Sequence, residues 1–146
     1  MSLETGALAI DSFSHIGVVV EDIDKTTKFL SSILDLGPWD IREYSPTKDE
    51  LMIGELFGLK EAHTKIRGTE VELIQPLAGN SIWSQFLETN GEGIHHISFT
   101  VSNWEESVSK FQERGGRMVA GATFDGKRWS YFATKPGGMI IELEEK

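Results

Sequence analysis

The chain has 146 residues, 39% hydrophobic and 25% charged, with a formal net charge of −9 from 14 basic and 23 acidic side chains. That length suffices for one domain with a sizeable core, and an acidic balance with no Lys/Arg cluster argues against a nucleic-acid partner. Cysteine is absent, which excludes disulfide frameworks and thiolate metal sites and fits a reducing cytoplasm, and no apolar run approaches the ~20 residues of a membrane span.

Residues 1–12 read as a leader without regular structure, and residues 13–146 as a single domain. "FSHIGVVVEDIDKTTKFLSSILDLG" (13–37) opens as a strand, turns at acidic residues and enters a helix. Phe29, Leu30, Ile33 and Leu34 recur there at helical spacing, and Asp22 or Asp24 is placed to cap it. A short strand is predicted near Trp39–Tyr44, and "SPTKDELMIGELFGLK" (45–60) reads as a long loop or lid. "AHTKIRGTEVELIQ" reads as a hairpin with Gly68-Thr69 as a type II′ turn. "IHHISFTVSNWEESVSKFQERGG" (94–116) again passes from strand to helix. Trp104, Val108 and Phe111 form its apolar stripe, and Ser102 with Glu105 resembles a capping box. A short strand near Arg117–Ala120 precedes a last hairpin, "RWSYFATKPGGMIIELEE", turning at Pro136-Gly137-Gly138.

The second half therefore repeats the first, each as strand–helix–strand–strand–strand. The expected fold is α+β: paired βαβββ modules (13–76 and 93–145) forming a curved mixed β-sheet cleft, with one helix packed on each half. Superposing the halves places His15 on His96, Gly17 on Ser98 and Val18 on Phe99. Strand alternation then sends Ile16, Val18, Val20, Ile97, Phe99 and Val101 to the helix side. His15, Gly17, Val19, His96, Ser98 and Thr100 take the other face, where small residues leave room for imidazoles. On this parity His95 lies with Ile97, as a helix-side or surface histidine.

"VELI" (71–74) matches "IELE" (141–144), so Glu72 pairs with Glu142 and both turn to the histidine face. A buried carboxylate is costly unless paired or bound to a cation. His15, Glu72, His96 and Glu142 are thus the predicted ligands of a divalent ion, Co²⁺, Mn²⁺, Ni²⁺ or Zn²⁺, with Fe²⁺ less favoured and Ca²⁺ unsuited to the nitrogen donors. With Gly68-Thr69 as the turn, Lys65 faces Glu72 and His63 lies opposite Ile74, on the pocket face. Trp129 and Tyr131 reach the same face if Lys135–Gly138 is a four-residue loop. Lys127 and Arg128 stand at the start of that strand, as a solvated pair or as contacts for a substrate phosphate or carboxylate.

The order of a His-Ile strand, "VELIQPL", "GEGIHHISFTV" and "GMIIELEE" resembles the vicinal oxygen chelate superfamily, which includes glyoxalase I, fosfomycin-resistance proteins and extradiol dioxygenases. The resemblance runs from Phe13 to Glu145. "ELIQPLAGNSIWSQFLETNGEGIHHISFTV" is most similar to the methylmalonyl-CoA epimerases, with a short connecting helix over 80–90. The resemblance implies a metal in the cleft and commonly a homodimer, with an acyl-CoA thioester or a thiol adduct as small-molecule substrate. It also implies His15, Glu72, His96 and Glu142 as ligands, with Glu72 and Glu142 serving partly as catalytic bases. Having Glu72 in place favours the glyoxalase and epimerase branches over the three-ligand iron dioxygenases. In the epimerases a carboxylate on the neighbouring strand is a proposed base, and His63 falls near that place here. Lys65, Trp129 and Tyr131 are the expected substrate contacts. The alternatives are a glyoxalase I-type lyase and a non-catalytic small-molecule-binding or resistance protein of the same fold.

Overall fold

Alternating apolar and small or polar residues give each His-Ile segment two unlike faces, so each becomes a strand between a helix and a cleft. The computed structural model describes residues 7–135 and 137–146. Their order is β1 (Ile10–Val19), α1 (Ile23–Leu34), β2 (Asp40–Tyr44), β3 (Leu51–Ile53), β4 (Leu59–Ile66), β5 (Thr69–Pro76), α2 (Ile82–Asn90), β6 (Gly93–Val101), α3 (Trp104–Glu113), β7 (Arg117–Phe124), β8 (Lys127–Ala133) and β9 (Ile140–Glu145). The start of the expected leader and Pro136 of the last turn lie outside the described residues. The leader expectation is too long at its end, because β1 already begins at Ile10.

The strands form one curled half-barrel sheet in the order β2-β4-β5-β1-β6-β9-β8-β7-β3. The two halves meet where β1 pairs antiparallel with β6, and inside each half the central strand pairs parallel with the last one, β1 with β5 and β6 with β9. The duplication is thus visible in the pairing: Gly17 lies beside Glu72 and Ser98 beside Glu142. On one face α1 covers Val20, Ala62 and Leu73, while α3 covers Val101, Phe132 and Leu143. On the other face Val19, Ile74 and Tyr131 pack with Trp83 of α2 and Phe57.

Several local expectations are corrected. Asp22 caps α1, accepting from the Lys25 backbone N–H, but only part of the apolar stripe faces inward. Leu30 packs against the sheet, whereas Phe29, Ile33 and Leu34 are 59%, 61% and 60% exposed. The α3 cap is Asn103 rather than Ser102, and it accepts from Glu106 N–H. The first hairpin turns at Arg67-Gly68, both with positive φ (50° and 87°), the signature of a type I′ turn. Asp125-Gly126 (51° and 79°) does the same between β7 and β8, so β7 runs on to Phe124 instead of stopping near Ala120. The expected lid over 45–60 is in part a strap. Its strand β3 joins the far edge of the sheet, pairing Leu51 with Ala122 and Ile53 with Gly121, and Thr123 N–H donates to Glu50 O at 2.9 Å.

Candidate metal centre and substrate pocket

Four strands carry the site. His15 comes from β1, His96 from β6, Glu72 from β5 and Glu142 from β9, each at the middle of a strand whose flanking residues are held under a helix. All four are buried. His15 Nε2 lies 3.2 Å from His96 Nε2, 3.3 Å from Glu72 Oε1 and 3.1 Å from Glu142 Oε1. His96 Nε2 lies 3.6 Å from Glu72 Oε1 and 3.4 Å from Glu142 Oε1. An ion bonded at about 2.1 Å holds neighbouring donors roughly 3.0–3.4 Å apart, so all of these spacings but the 3.6 Å between His96 and Glu72 fit a coordination shell. His15, His96 and Glu142 present ligand atoms all within 4.8 Å of one another, a group that leaves out Glu72. Glu142 Oε1 is buried without a directed hydrogen bond, although an imidazole nitrogen stands 3.1 Å away. A cation is the missing partner of such an atom.

Gly17 is the reason His96 fits. A Cβ at position 17 would lie 2.0 Å from His96 Cε1 and 2.4 Å from Nε2. The ring occupies that space, tilted against the Tyr131 ring with centres 4.5 Å apart and edge-on to His15. Burial pushes the His96 imidazole down to about 4, with Glu72 opposing and His15 reinforcing the shift. Burial also acts to lower His15, but its contacts with Glu142 and Glu72 prevail and raise it to about 11. In the metal-free site the two glutamates thus favour the imidazolium form of His15, whose proton a bound ion would replace.

His95 corrects the alternation argument. Gly17 pairs with His96 and the next pair is Val18 with Ile94, so His95 is the extra residue of a β-bulge. The bulge turns its ring to the same side as His96 rather than beside Ile97. It packs edge-on against Phe86 of α2, 4.9 Å between ring centres, and its Nδ1 lies 3.1 Å from His96 Nδ1. It is buried, and burial with His96 nearby lowers it to about 3.

The true hairpin register shifts the partners of His63 and Lys65 by two residues. His63 faces Glu72, and Lys65 faces Glu70, where it is exposed and away from the cavity walls. His63 sits behind those walls, its Nδ1 3.1 Å from Glu70 Oε2 and its Nε2 3.3 Å from Glu61 Oε1. Glu61 is the site residue that sequence reasoning missed. It lies on β4 two residues before His63, on the same face, and lines the cavity. The parity that selected His63 and Lys65 would have selected it too. Burial acts to raise the Glu61 carboxyl, but His63 and Arg42 prevail and lower it.

The cavity beside the ligand cluster measures ≈ 110 Å³, room for a small group only. Glu61, Glu72 and Glu142 form its floor, and Tyr44, Trp83, Phe124, Trp129 and Tyr131 its walls. The β8–β9 register sets Tyr131 beside Glu142 and Trp129 beside Glu144, which puts both rings on the pocket side. Trp129 Nε1 donates to Tyr44 Oη at 3.1 Å, a bond between β8 and β2 that ties the halves together across the cleft. Arg42 is the one cation among the described lining residues. Arg128 faces elsewhere: it is held by Glu105 and Glu145 and lies over the Trp104 ring. Lys127, at the exposed start of β8, is likewise not among the lining residues.

Human mitochondrial methylmalonyl-CoA epimerase is 27% identical over 139 residues, covering 90% of this chain and 72% of that protein. An uncharacterized Bacillus subtilis protein, YqjC, is 25% identical over 142 residues, covering 93% of each chain. The crystal structure of methylmalonyl-CoA epimerase from Mycobacterium tuberculosis superposes with a TM-score of 0.71 at 23% identity, covering 94% of this chain and 89% of that one, a likeness of fold. The family model for the Glyoxalase/Bleomycin resistance protein/Dioxygenase superfamily matches residues 14–134. With that match added to the duplicated βαβββ sheet and its central His/Glu cluster, the chain belongs to the glyoxalase/bleomycin resistance/dioxygenase superfamily.

Proposed function

We propose that this protein is a metal-dependent epimerase or isomerase that removes a proton α to a carbonyl, in the manner of the methylmalonyl-CoA epimerases it resembles. The observation that carries the proposal is one small cavity lined by Glu142, of the His15–His96–Glu142 cluster, and by Glu61 on a different strand. Epimerisation requires a proton to leave one face of a carbon and return to the other, hence two acid/base groups around it. Glu61 and Glu142 supply such a pair, from β4 and β9. His15, Glu72, His96 and Glu142 would hold a divalent ion, which would supply Lewis-acid stabilisation of charge developing on the carbonyl oxygen.

The residues themselves do the rest. Arg42 and His63 hold Glu61 through its Oε1, at 3.2 and 3.3 Å, which keeps it an anionic proton acceptor with its other oxygen outside those two contacts. Glu142 touches both imidazoles through Oε1, and its second oxygen is the proton donor or acceptor on the far side. His63 orients the carboxylates instead of meeting the substrate. Trp129 and Tyr131 exclude water from the acyl group.

Proton exchange into methylmalonyl-CoA in deuterated solvent, followed by NMR with metal-loaded protein, tests the reading. Exchange at the α-carbon is expected, with Glu61→Gln and Glu142→Gln each lowering it at least a hundredfold. A folded, metal-loaded protein that never exchanges that proton removes the epimerase assignment, and turnover of a glutathione hemithioacetal instead would move the chain to the glyoxalase I branch. A homodimer in the cytoplasm is part of the proposal. The uncovered Phe29, Ile33 and Leu34 of α1 support self-association, and sedimentation as a monomer would remove it.

A further inference from the structure

We infer that the cleft contains a second divalent-cation seat, formed by Glu61, His63 and Glu72, which shares Glu72 with the seat of His15, His96 and Glu142. These three residues present ligand atoms within 4.8 Å of one another. His63 Nε2 lies 3.3 Å from Glu61 Oε1 and 3.4 Å from Glu72 Oε2. The spacing comes from the β4–β5 ladder, which pairs His63 directly with Glu72 and places Glu61 two residues along the same face.

Two features mark the seat as built for a cation. His63 Nδ1 lies 3.1 Å from Glu70 Oε2, the outer carboxylate contact that fixes the tautomer of a ligating imidazole and turns its other nitrogen toward the ion. Nε2 then faces Glu61 Oε1 and Glu72 Oε2, two buried carboxylates that need a positive centre between them, a bound ion or a proton on the ring. Glu72 is also divided between the seats. Its Oε1 faces His15 and His96 at 3.3 and 3.6 Å, while its Oε2 faces His63, as in a carboxylate that bridges two ions.

Arg42 now supplies the positive charge, with Nε 3.2 Å from Glu61 Oε1 and a terminal nitrogen 3.4 Å from His63 Nε2. Its side chain is 48% exposed, so it can leave for solvent when an ion arrives. One imidazole and two carboxylates suit Zn²⁺, Co²⁺ or Mn²⁺ better than Ca²⁺. Paired ions bridged in this way clamp two oxygens of one substrate. The inference overlaps the proposed function at Glu61, His63 and Glu72.

The test is a count of bound Co²⁺ per chain, by equilibrium dialysis and elemental analysis of the full protein stripped with chelator, alongside the electron paramagnetic resonance spectrum after Mn²⁺ loading. Wild type is expected to bind two equivalents and to give a spin-coupled Mn²⁺ signal. His63→Ala and Glu61→Gln should each retain one equivalent and lose the coupling, with circular dichroism showing that they remain folded. Arg42→Ala should tighten the second equivalent at least tenfold by removing the competing guanidinium, which a merely structural His63 would not produce. One equivalent in wild type, abolished by His15→Ala and untouched by His63→Ala, overturns the second seat while leaving the first, and means that a proton occupies the position. Two equivalents that both survive His63→Ala and Glu61→Gln also overturn it. No bound ion at all overturns both seats.

Discussion

Gly17→Ala is the sharpest perturbation of the centre, because it changes neither charge nor any ligand. The backbone there does not require glycine, since Gly17 is not among the positive-φ residues. In an open strand the substitution would stabilise the fold by about 0.4–1 kcal/mol through the unfolded chain. Here the new methyl would meet the His96 ring at 2.0–2.5 Å, against a normal contact of roughly 3.5 Å. The ring must retreat by about 1.5 Å, and it has nowhere to go. Its side chain is fully buried, backed by Tyr131, His95 and His15. Overpacking of this kind costs about 1–3 kcal/mol. A displacement of about 1.5 Å also carries Nε2 out of bonding range of an ion held by the other ligands. Metal affinity should therefore fall by at least about 100-fold, the upper end of what outer-shell changes alone produce. Competition with a chromophoric chelator measures the affinity, and thermal unfolding of metal-free protein measures the stability. In a His96→Ala background, Gly17→Ala should no longer destabilise, because the clash partner is gone. Wild-type affinity in the single variant, or an unchanged cost in the double variant, would refute the packing argument.

Three further outcomes are expected. Metal uptake should release a proton from His15, whose imidazole is raised to about 11 by Glu142 and Glu72 against the opposing effect of burial, so affinity should rise by about tenfold per pH unit near neutrality. Calorimetry in buffers of different ionisation heat reads that proton directly, and uptake without proton release would contradict it. His95, lowered from 6.5 to about 3 by burial and by His96, takes a proton in the unfolded chain that the folded chain refuses. Its contribution to stability is complete above about pH 6.5 and is lost at about 1.4 kcal/mol per pH unit as pH falls toward 3. His95→Gln should remove that slope from metal-free denaturation curves, and parallel curves would sink the prediction. Tyr44→Phe deletes the bond from Trp129 Nε1 and should cost about 1 kcal/mol, seen as a lower Tm together with a shift in Trp fluorescence.

The duplication was legible in the sequence because it rests on local chemistry. Strand parity, with Val71 and Leu73 on one side and Glu72 on the other, follows from covalent geometry wherever the strand carries no bulge. It placed His15, His96, Glu72 and Glu142 on one face, and the parallel ladders then set Gly17 beside Glu72 and Ser98 beside Glu142. Even the empty space at Gly17 could be read in advance as room for an imidazole.

What the sequence could not determine depends on pairing between distant segments. Whether a glycine is the first or second residue of a two-residue turn is decided by which strand ends meet, and Arg67-Gly68 moved His63 from Ile74 to Glu72. A bulge exists only relative to a partner strand, so the side taken by His95 was settled by β1. Glu61 gains its role from Arg42 and His63, and β3 gains its place from β7, about seventy residues further along the chain. Local periodicity fixes which face a side chain takes in an unbulged strand. Register, bulges and closure are properties of two segments at once, and only the folded sheet brings those segments together.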